Sequence, residues 1–234
     1  MRPRALDLFC GAGGASMGLH RAGFEVTGVD IAPQPRYPFE FIQSDWENVA
    51  RTLPGLWQRD GQPFVVWASP PCQRYSAGAG KWGTQGNHPD LIDPVREVIE
   101  ALGVPFVIEN IVPAGSRLRS PTLLCGTMFG LGVFRHRLFE TSFPMFVPGH
   151  PAHTGKIGDG KYCTVTGHAG GSSKRDGWKN GGVAEWRVAM GIEWMVGDEL
   201  AEAIPPDYAE FVGQHAMKAL LNGEGAWAAR RGSV

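Results

Sequence analysis

Ser69-Pro70-Pro71-Cys72-Gln73 is the stretch of this 234-residue chain whose residue types point most directly to chemistry. It follows the apolar run Phe64-Val65-Val66-Trp67-Ala68, which reads as a buried strand. A cysteine just past the carboxyl end of a strand sits where open α/β sheets bind their ligands. The two prolines stiffen the backbone that presents the thiol. Such a thiol is a strong nucleophile once nearby positive charge or a helix terminus lowers its pKa; the alternative is an inert buried cysteine. Glu109 closes a second apolar run, Phe106-Val107-Ile108. A carboxyl group partly desolvated there has a raised pKa and can donate a proton near neutral pH; a surface carboxylate is the alternative. Nucleophile plus acid suits addition to an electron-poor ring, where protonating one ring nitrogen activates the carbon under attack. Arg135 and Arg137 are two residues apart in an extended segment, so they are expected to point the same way. They would bind a phosphate or a carbonyl and hold the counter-charge of the thiolate, against the alternative of a solvated strand edge.

A second group of residues has the makings of a nucleoside pocket. Asp7-Leu8-Phe9-Cys10-Gly11-Ala12-Gly13-Gly14 follows a strand and precedes a helix, and glycines there let backbone approach a ligand closely. The dinucleotide fingerprint needs a further glycine where Ser16 stands, which disfavours a bound pyrophosphate and leaves a nucleoside without phosphates. Asp30 ends the next strand, where it can accept hydrogen bonds from ribose hydroxyls, and Asp45 ends the one after. A tight turn without a ligand is the alternative.

The elements that must position these groups alternate along the chain. Strands are expected at 5–9, 24–29, 39–42, 64–68, 106–108 and 138–143, and helices at 16–22, 46–53, 91–102, 184–195 and 208–221. Residues 74–89 are polar and glycine-rich and read as a long mobile loop. This alternation predicts an α/β fold with a mostly parallel sheet and helices on both faces. Cys10-Gly11, Asp30, Asp45, Cys72 and Glu109 then share the rim at the strands' carboxyl ends. Four parts are expected: residues 1–145 for the rim and its chemistry, a small irregular region at 146–182, helices returning over 183–224, and a tail at 225–234.

Composition narrows the partners. Lys and Arg total 22 against 23 Asp and Glu, a net charge of −1, so contact with a polyanion must come from a local patch. Residues 147–181 hold five basic and two acidic side chains, among them Lys174 and Arg175. No stretch approaches the roughly 20 apolar residues of a membrane span, and Met1-Arg2-Pro3-Arg4 runs straight into a strand, so a soluble, cytoplasmic protein is expected. Cys10, Cys72, Cys125 and Cys163 form no CxxC pair; free thiols are favoured over two disulfides. Cys10 and Cys125 read as small core residues and Cys163 as a strand residue. His150, His153 and His168 have no HxxxH or HxH spacing, so no metal site is expected.

Taken together and in order, these motifs resemble those of the cytosine-C5 DNA methyltransferases. Residues 7–14 are similar to the family's first motif, Gly28-Val29-Asp30 to its second and Gln43-Ser44-Asp45 to its third. Pro71-Cys72-Gln73 resembles the nucleophile motif, Glu109-Asn110-Ile111 the Glu-Asn-Val motif and Arg135-His136-Arg137 the Arg-x-Arg motif. The resemblance implies a Rossmann-like methyltransferase fold with S-adenosylmethionine as donor and S-adenosylhomocysteine as product. Phe9 would stack on the adenine, Gly11, Ala12, Gly13 and Gly14 would hold the methionine part, Asp30 the ribose and Asp45 the adenine amino group. Ile31, Trp46, Pro71 and Leu91 would line the pocket, with Gln214 at the last motif. Cys72 would add to C6 of cytosine while Glu109 protonates N3, with Arg137 holding the base and Arg135 nearby. Gln73 and Asn110 would meet the substrate, Lys174 and Arg175 its phosphates. A duplex substrate would have its cytosine flipped out.

Four departures stand out: Val133 replaces the usual Gln before the Arg-x-Arg motif, Gly213-Gln214 the usual Gly-Asn, and Pro70 an aromatic; and only about 40 residues lie where target-recognition regions occur. Single DNA-binding modules bury ~600–1,000 Å², which leaves DNA and a free cytosine nucleotide as alternative substrates. An inactive DNA-binding relative and a cysteine hydrolase explain fewer of these residues. A monomer is expected, with a cognate restriction enzyme as a candidate partner.

Overall fold

The computed structural model describes residues 2–59, 61–76, 83–155, 157, 161–166 and 181–222. Its centre is a seven-stranded sheet in the order β3-β2-β1-β4-β5-β7-β6. In chain order the elements are β1 (Arg4–Leu8), α1 (Gly14–Arg21), β2 (Glu25–Asp30), β3 (Glu40–Gln43), α2 (Trp46–Arg59), β4 (Phe64–Ala68), α3 (Ile92–Glu100), β5 (Phe106–Ile111), β6 (Thr122–Leu124), β7 (Arg137–Thr141), α4 (Val183–Met190), α5 (Gly197–Glu202) and α6 (Pro206–Leu221). Strands β3, β2, β1, β4 and β5 run parallel. The chain order reverses between β1 and β4, the place where such sheets open a crevice. At the other edge β7 is antiparallel to both β5 and β6.

The near-continuous apolar runs of β1, β4 and β5 fit a sheet covered on both sides. Side chains alternate between two cores. Leu6, Leu8, Val66, Ala68 and Ile108 pack with Val49, Trp57, Ile92 and Ile99 of α2 and α3. Ala5, Val65, Trp67 and Val107 pack on the other side with Leu19 of α1 and Tyr208, Val212 and Ala216 of α6. A third cluster, built from Ala12, Val133, Val165, Trp186, Met190, Ile192, Met195 and Leu200, joins the C-terminal elements to the glycine turn.

Four features differ from the sequence reading. The helix starting at Trp46 runs past Pro54 to Arg59; the proline removes one backbone donor, but Trp57 is buried in the core and holds the last turns in place. Strand β5 continues to Ile111 because β7 extends its ladder, pairing Phe139 with Glu109 and Arg137 with Ile111. Glu109 therefore lies inside the strand, on the face it shares with Val107. In the C-terminal part, α4 ends at Met190, where Gly191 takes a left-handed φ of 66°. Cys163 lies outside the named strands, although Tyr162 makes an isolated bridge to Ile157.

Helices α1 and α6 lie in direct backbone contact. A Cβ on Gly14 would stand 2.3 Å from the Ile204 carbonyl oxygen, and one on Gly18 would stand 2.2 Å from that of Pro206 and 2.5 Å from the Glu210 nitrogen. A Cβ on Gly213 would meet that of Ala22 at 2.8 Å. The contacts advance in the same sense along both helices, so they run parallel. Gly18→Ala would gain about 1 kcal/mol of helix propensity. The clash is with backbone, which no rotamer relieves, so overpacking costing about 3 kcal/mol dominates. Urea unfolding should show a net loss of about 2 kcal/mol; a midpoint unchanged or raised would refute this account of the α1–α6 contact.

Candidate active site

The glycine turn bends through three residues of positive φ: Phe9 (62°), Gly11 (48°) and Gly13 (87°). Gly11 faces open space where a side chain would otherwise stand. Its N–H donates to Asp30 Oδ2 at 3.0 Å, while Asp30 Oδ1 accepts from Ala32 N–H at 3.0 Å. Each carboxylate oxygen keeps a further lone pair for a ligand. The Phe9 ring lies 5.8 Å from that of Trp46, and Ile31 is 73% exposed beside Asp30. Asp45 accepts from Glu47 N–H at 2.9 Å and so starts α2. An exposed aliphatic side chain, two aromatic rings, an acidic acceptor and open backbone together suit a nucleoside.

Behind the turn lies a buried polar cluster that the sequence reading missed. Ser16 Oγ donates to Asp7 and lies 2.7 Å from the Tyr37 hydroxyl. Ser16 thus has a use of its own at the position where a dinucleotide site needs glycine. A Cβ on Gly28 would stand 2.2 Å from the Tyr37 oxygen, so that glycine makes room for the ring. Burial raises the Asp7 carboxyl to about 7, against the Ser16 hydrogen bond and with added repulsion from Asp30 and Glu109. The sequence signal was present but faint: an acid inside a strand, and a serine two residues into the helix that follows.

The nucleophile loop leaves β4 and is tied on two sides. Ser69 N–H donates to the Leu8 carbonyl at 3.2 Å, and Asn110 Nδ2 donates to the Pro70 carbonyl at 3.0 Å. Asn110 is buried and its own oxygen accepts from Ile111 N–H. It braces the loop from β5 through these two hydrogen bonds. Cys72 follows, half-buried, and Gln73, exposed, opens a short 3-10 turn over Gln73–Tyr75. Glu109 is buried, with Arg137 Nε 3.1 Å from its Oε1. Burial holds the Glu109 carboxyl above the ordinary range, opposed by Arg137, the Ser69 hydroxyl and Arg135. Burial and then the Glu109 charge push the Cys72 thiol up, while Arg137 and Arg135 pull it down by less. The free protein therefore holds a thiol at neutral pH, where the sequence had suggested a thiolate.

Arg135 and Arg137 do not point the same way. Arg135 has φ 28° and precedes β7, so the extended segment begins only after it. Its guanidinium donates to the carbonyls of Val165 at 2.8 Å, Ala201 at 2.7 Å and Ala203 at 2.9 Å. Burial and the Arg137 charge lower its pKa to about 9, which leaves it protonated at pH 7. Gln214 is not at the rim either. It is an exposed residue of α6 next to Gly213, which packs on Ala22 at the far end of α1. Eight residues of helix, about 12 Å, separate that end from Gly14. The part of α6 nearest the glycine turn is its start, at Ile204 and Pro206. Ala12 gives its carbonyl to Trp194 Nε1 at 2.8 Å, a closing contact from the C-terminal elements. Leu91 caps α3 and, like Pro71, is half-buried. Lys174 and Arg175 lie outside the described residues. Among the described residues, no helix is long and apolar enough to cross a membrane.

Residues 4–112 match the family model described as C-5 cytosine-specific DNA methylase. The type II methyltransferase M.XorII of Xanthomonas oryzae pv. oryzae is 33% identical over 123 residues, which take in 47% of this chain and 28% of that protein. The chain thus covers well under two thirds of that relative.

The raised thiol gives a prediction that needs no substrate. Alkylation of Cys72 by iodoacetamide, followed by peptide mass spectrometry, should be slow at pH 7 and rise through and beyond the ordinary thiol range, about 8.5. Glu109→Gln removes the negative charge that raises the thiol, so its alkylation profile should shift to lower pH. An unshifted profile would break the proposed coupling between the two groups.

Proposed function

We propose that this chain, whose residues 4–112 match the C-5 cytosine-specific DNA methylase model, is a member of that family and methylates C5 of cytosine in DNA through a covalent adduct at Cys72. The observation that carries this reading is the placement of Cys72 on the loop that leaves β4, Glu109 on β5 and Arg137 on β7, strands adjacent in the sheet, beside the glycine turn after β1. S-adenosylmethionine, the donor used by that family, supplies an electrophilic methyl carbon when bound. Asp30 would offer its free lone pairs to the ribose, Phe9, Trp46 and Ile31 would line the adenine, and the backbone at Gly11 to Gly14 would receive the methionine part. Pro71, Leu91 and Asp45 would complete the walls.

On the substrate side, Glu109, whose protonated form is favoured by burial, donates its proton to N3 of the cytosine, which makes C6 electrophilic. The Cys72 thiol loses its proton to water and the sulfur bonds to C6. The electron pair displaced onto C5 takes the methyl group. Loss of the C5 proton to water then expels the sulfur, N3 returns its proton to Glu109, and the ring's double bond and the free cysteine are restored. Arg137 stabilises Glu109 once its proton has gone and supplies positive charge near the sulfur. We assign Arg135 and Asn110 to positioning: each holds backbone next to a reacting group. A flipped base is the entry this chemistry requires of duplex DNA, since C5 and C6 are stacked inside a helix.

Cys72→Ser should abolish methyl transfer, because an alcohol is a far weaker nucleophile, while calorimetric binding of S-adenosylmethionine stays within about twofold of the parent. Turnover surviving in this variant would end the covalent mechanism. Incubation with labelled donor and either duplex DNA or cytosine nucleotides should label the DNA. Label found in the nucleotides alone would overturn the choice of substrate and leave the chemistry standing.

A further inference from the structure

We propose that Cys125, His136, His150 and His153 form a four-ligand structural zinc site, separate from the residues of methyl transfer. These side chains come from separate parts of the chain, yet their ligand atoms all lie within 4.8 Å of one another. Cys125 Sγ is 3.4 Å from His153 Nε2, and His136 Nε2 is 3.1 Å from His150 Nε2. Tetrahedral zinc with bonds of about 2.0–2.1 Å to nitrogen and 2.3 Å to sulfur places its ligand atoms about 3.3–3.6 Å apart. One thiolate and three imidazoles make a closed set with a net charge of +1, and this mixture of soft and borderline donors favours zinc over magnesium or calcium.

The surroundings hold the ligands in this arrangement. Gly126 N–H donates to the Phe134 carbonyl at 2.9 Å, which brings the residue after Cys125 beside the segment leading to His136. A Cβ on Gly126 would stand 2.0 Å from the Val133 carbonyl oxygen, so glycine is needed for that approach. The His153 ring stacks on Phe134 at 4.0 Å and 5°, and Phe134 also meets Tyr162 at 4.6 Å. The Thr127 hydroxyl lies 3.1 Å from Cys125 Sγ. It can donate to a thiolate, a typical outer partner of a metal-bound sulfur. On coordination the thiol releases one proton to solvent and the imidazoles bind in their neutral form. The centre would pin residues 150–153 to the start of β7, next to Arg137, and so steady the segment that carries that arginine.

Metal content tests this directly. Untagged protein grown with added zinc and purified without chelator should carry about one zinc per chain by plasma mass spectrometry. His150 and His153 are exposed, so the double variant His150→Ala/His153→Ala should keep its far-ultraviolet circular dichroism and lose the metal. Cobalt(II) exchanged for zinc should give intense tetrahedral d–d absorption and a sulfur charge-transfer band, the latter lost in Cys125→Ser. Chelation by EDTA should lower the melting temperature of the parent and leave that of the double variant unchanged. Trace metal only in the parent, full zinc retained by the double variant, or an octahedral cobalt spectrum would each overturn the site. None of these readouts depends on methyl transfer.

Discussion

The buried guanidinium of Arg135 is the contact on which both ends of the active-site rim depend. A charge taken out of water must be resolvated by fixed dipoles. Here three carbonyls do so, those of Val165, Ala201 and Ala203. The Tyr208 hydroxyl then donates to the carbonyl of Arg135 itself at 2.9 Å. A single residue before β7 thereby ties the strand that carries Arg137 to α5, to α6 and to the Val165 segment. The C-terminal elements held this way supply Trp194 to the carbonyl of Ala12 and Ile204 to the face of Gly14. The shape of the glycine turn and the position of Arg137 are therefore consequences of one packing arrangement. The arginine that a motif comparison places at the substrate contributes to the site by holding its two sides together.

The electrostatics of the rim describe a site at rest. Asp7 and Glu109 are buried acids on the same face of the sheet, and the Glu109 charge raises both Asp7 and Cys72. Among the described residues, only Arg137 stands within ion-pair distance of Glu109. Burial raises both the Glu109 carboxyl and the Cys72 thiol, so the free protein holds Cys72 as a thiol. A thiol is poorly reactive toward solutes, and its attack depends on a ring made electrophilic in the site. Coupling the two protons to substrate entry is a physical route to specificity, since the thiol is not held permanently as a reactive anion.

Arg96 performs a comparable service on the opposite side of the sheet. It is buried, bonded through Nε and Nη2 to both oxygens of Glu140 at 2.7 and 2.8 Å, and it also donates to the Arg117 carbonyl. Glu140 lies on β7, one residue beyond Phe139, which pairs with Glu109. Strand β7 is thus anchored by an ion pair near its end and by the Arg135 segment at its start. The cysteine and histidine cluster adds a third anchor beside the same start. Strand β7 lies between β5 and the short edge strand β6, and its first residue, Arg137, stands 3.1 Å from the Glu109 carboxylate. Several independent restraints on one short strand hold that pairing in place.

The sequence by itself determined the alternation of strands and helices, the parallel core and the rim where Cys72, Asp30 and the glycine turn collect. These follow from local rules: apolar runs of strand length, glycines at positive φ and polar residues at strand ends, all read over a few residues. Only the tertiary structure decided how the edge of the sheet is built and what it does. Glu109 lies inside a strand because β7 lengthens the ladder, and nothing near Phe106-Val107-Ile108 announces that partner. Arg135 turns away from Arg137 because carbonyls some 30 to 70 residues further along the chain claim its guanidinium. Gln214 falls at the wrong end of α6 because α1 and α6 run parallel, a matter of helix packing rather than motif order. Cys125 and the three histidines have no metal-binding spacing along the chain and meet only because Gly126 lets two segments touch. Local spacing specifies local geometry; contacts between distant segments are fixed by the free energy of the whole fold, where burial of one charge or the fit of one glycine outweighs any pattern a short window can hold.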